Sequence, residues 1–464
     1  MTATLTFHGA TETVTGSKFL LTMRRRRLLV DCGLFQGPKE LRLRNWEPLP
    51  FDPAAIDAVL LTHAHIDHSG YLPRLVRSGF TGPVHCTPPT ADLVRILLPD
   101  AAQLLEEDAA YANRIGFSKH QPALPLYTKA DARLALRRLK PASYGKALDL
   151  GPGVELRFLD AGHILGSSIL QFDLGLGHDL RRRLVFSGDL GRYDEPITFD
   201  PARVGYADYV VLESTYGDRM HPDTDPADAL ADIVNRTVAR GGTVLVPAFA
   251  VGRTQHLLFL LQQLENEGRI PVLPVFVDSP MARRATHVYE AHARDGRVRG
   301  ERGQPHRGPF TTRRFAFTES IAASRALARL KEPAIILSAS GMATGGRVLH
   351  HLARLLPRAE NAVVFAGFQA AGTRGRRLVS GEPEVKIHGQ FVPVGAEVCQ
   401  LEGLSAHADQ EELMRWLKGL RHAPRRVFLV HGEPQASAAL EQRIRQQLGW
   451  PVEIARYGQV VELD

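Results

Sequence analysis

The sequence predicts an α/β protein of two domains, with a metal site built where a strand ends. Three observations predict it. The chain has 464 residues, beyond the size at which a single hydrophobic core usually stops growing. Short aliphatic runs alternate with helix-length segments through its middle, the pattern of a parallel sheet with covering helices. The run Ala58-Val59-Leu60-Leu61 leads directly into Thr62-His63-Ala64-His65-Ile66-Asp67-His68-Ser69-Gly70, which sets four metal-binding side chains within six positions.

The elements follow in order. To about residue 200, β-rich stretches surround a helical middle. Strands are expected at Thr4 to His8, Lys18 to Thr22, Leu28 to Asp31, Ala58 to Thr62, Glu155 to Leu159, Ser168 to Leu174 and Leu184 to Ser187. From about 208 to 382 strand and helix alternate: Val244-Leu245-Val246-Pro247 precedes a helical Thr254 to Leu264, and Ala334 to Leu337 precedes a helical Arg347 to Leu356. The last part, 383–464, again mixes strands, such as Arg426 to Val430, with helices. Residues 294–314, rich in Gly and Arg, read as an exposed loop.

Composition narrows the class. A content of 44% hydrophobic and 23% charged residues is ordinary for a soluble globular protein. The longest apolar stretches are strand-sized, so no membrane span is expected, and the N-terminus has neither a basic start nor an apolar signal core. Three scattered cysteines, Cys32, Cys86 and Cys399, argue against a disulfide framework and fit a reducing cytoplasm. Cys32 reads as buried filler. A net charge of +7, carried mainly by arginine, favours an acidic partner. The basic clusters at Arg24 to Arg27, Arg181 to Arg183 and Arg294 to Arg314 read equally well, one by one, as solvated loops.

The chemistry is concentrated at strand ends. In an extended backbone His63 and His65 would fall on one side and reach one ion, leaving Asp67 and His68 to turn toward a second. Further candidates each lie just past a strand: His163, Asp189, Glu213 after Tyr209-Val210-Val211-Leu212, His407 in Ser405-Ala406-His407, and His431 after Val427-Phe428-Leu429-Val430. Strand ends of this kind share an edge where α/β clefts form. Any one of these residues alone reads more simply as a cap or core side chain. Asp409 with Glu412 three residues on reads as a capping box just after His407.

These residues carry a family resemblance over nearly the whole chain. The Asp31-Cys32-Gly33-Leu34-Phe35-Gln36-Gly37 and His63 to His68 motifs resemble the metallo-β-lactamase superfamily in general. Pro247-Ala248-Phe249-Ala250-Val251-Gly252-Arg253-Thr254-Gln255, Ser340-Gly341-Met342-Ala343-Thr344-Gly345-Gly346-Arg347 and Ser405-Ala406-His407 resemble its β-CASP nuclease branch, which includes bacterial RNase J and the eukaryotic mRNA 3′-end processing endonuclease. The resemblance implies an αββα metallo-β-lactamase sandwich, formed by 1–207 and 383–464, with a parallel α/β β-CASP domain inserted at 208–382. It implies two zinc ions, with manganese the alternative. His63, His65 and His163 would hold one, Asp67, His68 and His431 the other, and Asp189 would bridge them. Asp31 would position ligands rather than bind metal. Glu213 would orient His407 to protonate the departing 3′ oxygen, with Asp67 counted among the catalytic groups. Arg253, Ser340, Gly345, Gly346, Arg347 and Ser405 would contact phosphate. His256 stands where the family usually has Glu.

The implied function is hydrolysis of single-stranded RNA to products with a 5′ phosphate and a 3′ hydroxyl, in a monomer or homodimer. His431 favours RNA, since DNA-directed members usually carry valine there. Competing readings are a DNA-directed nuclease of the same branch, a thioester or lactam hydrolase lacking a large insertion, and a non-catalytic RNA-binding scaffold, for which ligand losses are expected and none is found. Endonucleolytic against 5′-to-3′ exonucleolytic action, the RNA preferred and the metal in the cell stay open at this point.

Overall fold

The computed structural model describes residues 3–116, 118–177, 180–299, 309–367, 369 and 372–464. Part of the expected basic loop, 300–308, lies outside the described residues. The chain forms two compact units, one of residues 1–220 and 407–464 and one of residues 221–406.

The first unit is built on two seven-stranded sheets. One runs Val460–Leu463, Ala3–Phe7, Phe19–Met23, Arg26–Val30, Ala58–Leu60, Val84–Cys86, Leu139–Pro141. Its first four strands are antiparallel, and from Arg26–Val30 onward the pairing is parallel. The other runs Val452–Ile454, Arg426–Val430, Tyr209–Glu213, Arg181–Phe186, Ser168–Gly175, Val154–Asp160, Leu148–Asp149, parallel at one end and antiparallel at the other. Leu5, Phe7, Phe19 and Leu21 of the first sheet pack against Phe158, Phe172, Phe186 and Phe428 of the second, all buried. Those positions alternate along their strands, the period of a sheet with one face on a shared core.

Helices close the outer faces. Leu413, Trp416 and Leu417 of Gln410–Leu417, with Leu440 and Ile444 of Pro434–Leu448, cover Val210, Leu212, Val427 and Leu429. Gln410–Leu417 begins at the expected capping box: Asp409 accepts from the Glu412 amide and Glu412 from the Asp409 amide, both at 2.9 Å. On the first sheet's side lie Leu72–Arg77, Pro88–Ile115 and Lys129–Leu136. This is the αββα sandwich that the sequence leads one to expect.

The second unit carries a six-stranded, all-parallel sheet ordered Arg314–Phe317, Pro274–Asp278, Ile335–Ser338, Val244–Pro247, Ala362–Ala366, Glu397–Leu401. Arg253–Asn266 and Val348–Leu355 form close to the bounds expected from periodicity. The unit and the expected segment 208–382 differ at both ends. Tyr209–Glu213 pairs inside the first unit's sheet, and Glu397–Leu401 inside the second unit's. The three cysteines are free, with Cys32 and Cys86 buried. Among the described residues no helix is long and apolar enough to cross a membrane.

Candidate metal centre

The parallel strands of both sheets end at one edge, and the ligands follow those ends. The first sheet corrects one expectation: the strand stops at Leu60, not Thr62, so His63 and His65 do not share an extended strand face. His65 instead caps the four-residue helix Ile66–Ser69, and the bend between them brings His63 Nε2 within 3.0 Å of His65 Nδ1. Asp67 and His68 lie in that helix. Its backbone packs so tightly on the Asp31 loop that a Cβ on Gly33 would sit 1.5 Å from the Asp67 carbonyl oxygen. Gly191 is equally tied to the His163 turn, where a Cβ would lie 2.0 Å from the Gly162 oxygen.

Two groups of ligands result. His63, His65, His163 and Asp189 bring one ligand atom each within 4.8 Å of the others, and so do Asp67, His68 and His431. His163 Nε2 is 3.3 Å from His65 Nδ1, and His68 Nε2 is 3.1 Å from His431 Nε2. Asp189 spans the two groups. Its Oδ2 lies 3.5 Å from His63 and 3.6 Å from His163, while its Oδ1 lies 3.3 Å from His68 and 3.6 Å from His431. All seven sequence-predicted metal residues therefore meet in the first unit.

Their electrostatics suit a cation. Burial, helped by the neighbouring His68, holds His63 well below the ordinary imidazole range, and burial lowers His65 too. Neutral imidazole is the form a metal ligand needs, and His68 departs from it: burial opposes its charge, yet Asp189 and Asp31 outweigh that and hold it well above the ordinary range, so an ion bound there must displace a proton. Burial works against ionising Asp189, yet His431, His68 and His63 outweigh it and keep the carboxyl well below its usual range. The same contest puts Asp67 at about 2, through its hydrogen bond to His431 and the charge of His68. Five imidazoles and two ionised carboxylates converging without a lysine or arginine among them form a donor set that fits zinc.

Groups behind the ligands fix which ring nitrogen faces inward. Asp31 Oδ2 is 2.8 Å from His68 Nδ1, leaving Nε2 for the site. Asp31 is in turn held by Thr62, whose amide and hydroxyl donate to it at 2.7 and 2.8 Å. The Thr62 hydroxyl also touches His63 Nδ1 at 3.1 Å, and Thr215 contacts His431 Nδ1 at 3.0 Å. Sequence reasoning found Asp31 and missed both threonines. The adjacency of Thr62 to His63, and the place of Thr215 two residues after Glu213, was the only available signal.

Beside the centre, His407 Nδ1 lies 3.1 and 3.2 Å from the two oxygens of the buried Glu213. Glu213 also accepts from the Leu190 amide at 2.6 Å, which fixes its orientation next to Asp189. Burial opposes a charge on His407, but Glu213, and then Asp189 and Asp67, raise its pKa to about 9. The ring lies 4.5 Å from that of His163, tilted by 44°.

The predicted phosphate contacts, Ser405 included, belong by sequence to the second unit. Arg253 opens the helix after Gly252, and Ser340 accepts from the Thr344 amide at 3.1 Å. Gly346 has a φ of +78° and Gly345 has open space around it. Arg347 is already engaged: it donates to the buried Asp278 at 2.7 Å and to the Thr318 carbonyl at 3.1 Å. Asp278 is shared with His351 at 2.6 Å and Ser324 at 2.5 Å.

With this geometry in place, the chain can be set beside known proteins. Residues 26–240 match the "Beta-lactamase superfamily domain", 254–378 the "Beta-Casp domain", and 392–455 the "Zn-dependent metallo-hydrolase RNA specificity domain". A ribonuclease of Thermus thermophilus is 40% identical over 98% of each chain. The chain belongs to the β-CASP ribonucleases. The transcription termination factor FttA of Methanosarcina mazei is 34% identical over 95% of this β-CASP chain and 68% of its own length. The FttA of Cenarchaeum symbiosum is 31% identical over 99% and 70%. A crystal structure of a protein of unknown function from Enterococcus faecalis V583 covers 100% of both chains at a TM-score of 0.57 and 15% identity, a likeness of fold alone.

Proposed function

We propose that this β-CASP chain hydrolyses phosphodiester bonds of single-stranded RNA with two zinc ions, leaving a 5′ phosphate and a 3′ hydroxyl. The observation that carries the reading is Asp189, whose two oxygens divide between the two groups of imidazoles. His63, His65 and His163 would hold one ion, Asp67, His68 and His431 the other, with Asp189 common to both. When bound, such a pair supplies a nucleophilic water at neutral pH and neutralises phosphate charge.

The rest is done by side chains. Asp31, Thr62 and Thr215 hold the ligand rings in the tautomers that point Nε2 inward. Glu213 fixes His407 through Nδ1, so that Nε2 carries a proton for the departing 3′ oxygen. A pKa of about 9 keeps that proton in place at neutral pH. Arg253, Ser340, Gly345, Gly346 and Ser405 would position phosphates, and Arg347 would act mainly by anchoring its loop to Asp278. Its action would lie in the cytoplasm, which the three widely spaced cysteines of the sequence favour.

Incubating the protein with 5′-labelled single-stranded RNA and the matching DNA, with and without a chelator, tests this. Chelator-sensitive cleavage of RNA with DNA spared is expected, and internal fragments or released mononucleotide then separate endo from exo action. A metal-loaded protein that cuts neither polymer would end the proposal.

A further inference from the structure

Two of the arginine runs, Arg24 to Arg27 and Arg181 to Arg183, take no part in the metal centre, yet the topology of the first unit gathers them. The strands Arg26–Val30, Arg181–Phe186, Tyr209–Glu213 and Arg426–Val430 run toward the metal centre, three of them ending just before Asp31, Ser187 and His431 and one at Glu213. All of their starts therefore lie at the edge opposite the metal. Contacts join the two sheets there. A Cβ on Gly151 would lie 2.6 Å from Arg26 Nε and one on Gly153 3.2 Å from Met23 Cε; within the second sheet the Gly175 amide, opposite Arg181, donates to the Gly153 carbonyl. Arg182 reaches the Asp464 carbonyl just past Val460–Leu463, and Arg425 lies 3.6 Å from the Asp464 carboxylate.

Several carboxylates at this edge are taken. Asp57 pairs with Arg26, Asp173 with Arg183 and Arg157, Asp208 with Arg425, and Glu453 with Arg426. Arg24, Arg25, Arg27 and Arg181 are exposed and have no carboxylate in ion-pair range among the described residues. An aromatic ring sits with them. Tyr206 is 47% exposed, with the Arg183 guanidinium carbon over its ring, 4.0 Å from the ring centre. Exposed guanidinium groups without a carboxylate partner among the described residues and, at the same edge, an exposed ring are the two parts of a single-strand binding surface: charge for the backbone and a platform for a base.

We propose that this edge is a second RNA-binding surface, remote from the metal centre, which holds the phosphate backbone on Arg24, Arg25, Arg27 and Arg181 and stacks a base on Tyr206. The proposal rests on the RNA reading above. A strand of five residues, Arg426–Val430, separates the edge from His431, which is about 15–20 Å. Contacts that far from the reacting phosphate add equally to ground and transition states, so they lower KM and leave kcat alone.

The test compares two triple charge reversals in the full, metal-loaded chain. One is Arg24→Glu, Arg25→Glu, Arg181→Glu. The other, Lys119→Glu, Arg133→Glu, Arg137→Glu, changes net charge equally at exposed positions elsewhere in the unit. Binding of a 30-nucleotide single-stranded RNA is read by anisotropy across salt concentrations, in a His407→Ala background so that the probe stays whole. The edge triple should weaken binding by on the order of ten-fold and lower the salt slope by about 2, at about 0.7 per lost phosphate contact. In the chain with His407 intact it should raise KM with kcat held. Tyr206→Ala should weaken binding roughly five-fold or more with the slope unchanged. Equal losses from both triples, or no loss from the edge triple, would overturn the proposal. Reversal-sensitive binding to phosphatidylserine vesicles but not to RNA would overturn it in favour of a membrane surface. A wild-type chain that binds RNA at this edge but cuts none would leave the proposal standing and the nuclease reading lost.

Discussion

Replacing Asp31 by Asn separates the two metal positions. The Asp31 carboxylate receives three donors: the Thr62 amide at 2.7 Å, the Thr62 hydroxyl at 2.8 Å and His68 Nδ1 at 2.8 Å. An asparagine has one acceptor oxygen. Placed on the Thr62 amide, it turns its NH2 toward His68 Nδ1, where two N–H groups cannot face each other. His68 then accepts at Nδ1 and carries its proton on Nε2, the atom 3.1 Å from His431 Nε2 that a cation needs as a lone pair. The lost interaction is a charge-assisted hydrogen bond, worth about 1.5–3 kcal/mol. At about 1.4 kcal/mol per decade, that is roughly a ten- to hundred-fold loss of affinity. It falls on the Asp67, His68 and His431 side alone, since His63 and His65 keep their orientation. Zinc titration against a chromophoric chelator should show two tight equivalents in the parent and one tight plus one weakened equivalent in the Asp31→Asn protein. Two unchanged equivalents would refute the tautomer argument, and equal weakening of both would refute its confinement to one side.

Other outcomes follow from the same geometry. Asp189→Ala should weaken both metal positions together, so metal content measured by mass spectrometry falls for the two in parallel. His407→Ala should lower turnover by about 10²–10⁴-fold with metal content unchanged. Glu213 raises the His407 pKa to about 9, so the acid form is present below that value and lost as pH rises through it. Glu213→Gln removes that support and should move the alkaline limb of kcat/KM toward lower pH. Gly33→Ala forces a methyl to within 1.5 Å of the Asp67 carbonyl oxygen; the helix carrying Asp67 and His68 must shift, so melting temperature and metal content should drop together.

How much of this could be read from the chain depended on sequence distance. His63, His65, Asp67 and His68 announced themselves because chemistry and spacing coincide within one turn of chain. His431 lies more than 360 positions from His68, and only resemblance joined them. Thr62 and Thr215 stayed hidden because a hydroxyl has no preference for metal sites, and an isolated threonine is usually polar filler. The Asp278–Arg347 bond was invisible for another reason: the glycines before Arg347 suggested a phosphate turn, and nothing local revealed a buried carboxylate 69 residues earlier. The strand Tyr209–Glu213 is buried at every position, as are Val244–Pro247 and Ile335–Ser338. Fully buried strands lose the alternation that says which sheet they join, so hydrophobic pattern could not tell where one unit gives way to the next.

Tyr209–Glu213 pairs in register with Arg426–Val430, across more than two hundred residues of intervening chain. Synthesis from the N-terminus makes Glu213 long before it makes that neighbour, and His68 long before His431. A ribosome carrying the first half of this protein therefore holds an unfinished sheet with vacant flanks and half a metal cage. The group formed by Asp67, His68 and His431 is complete only once the inserted unit has been made and His431 follows it.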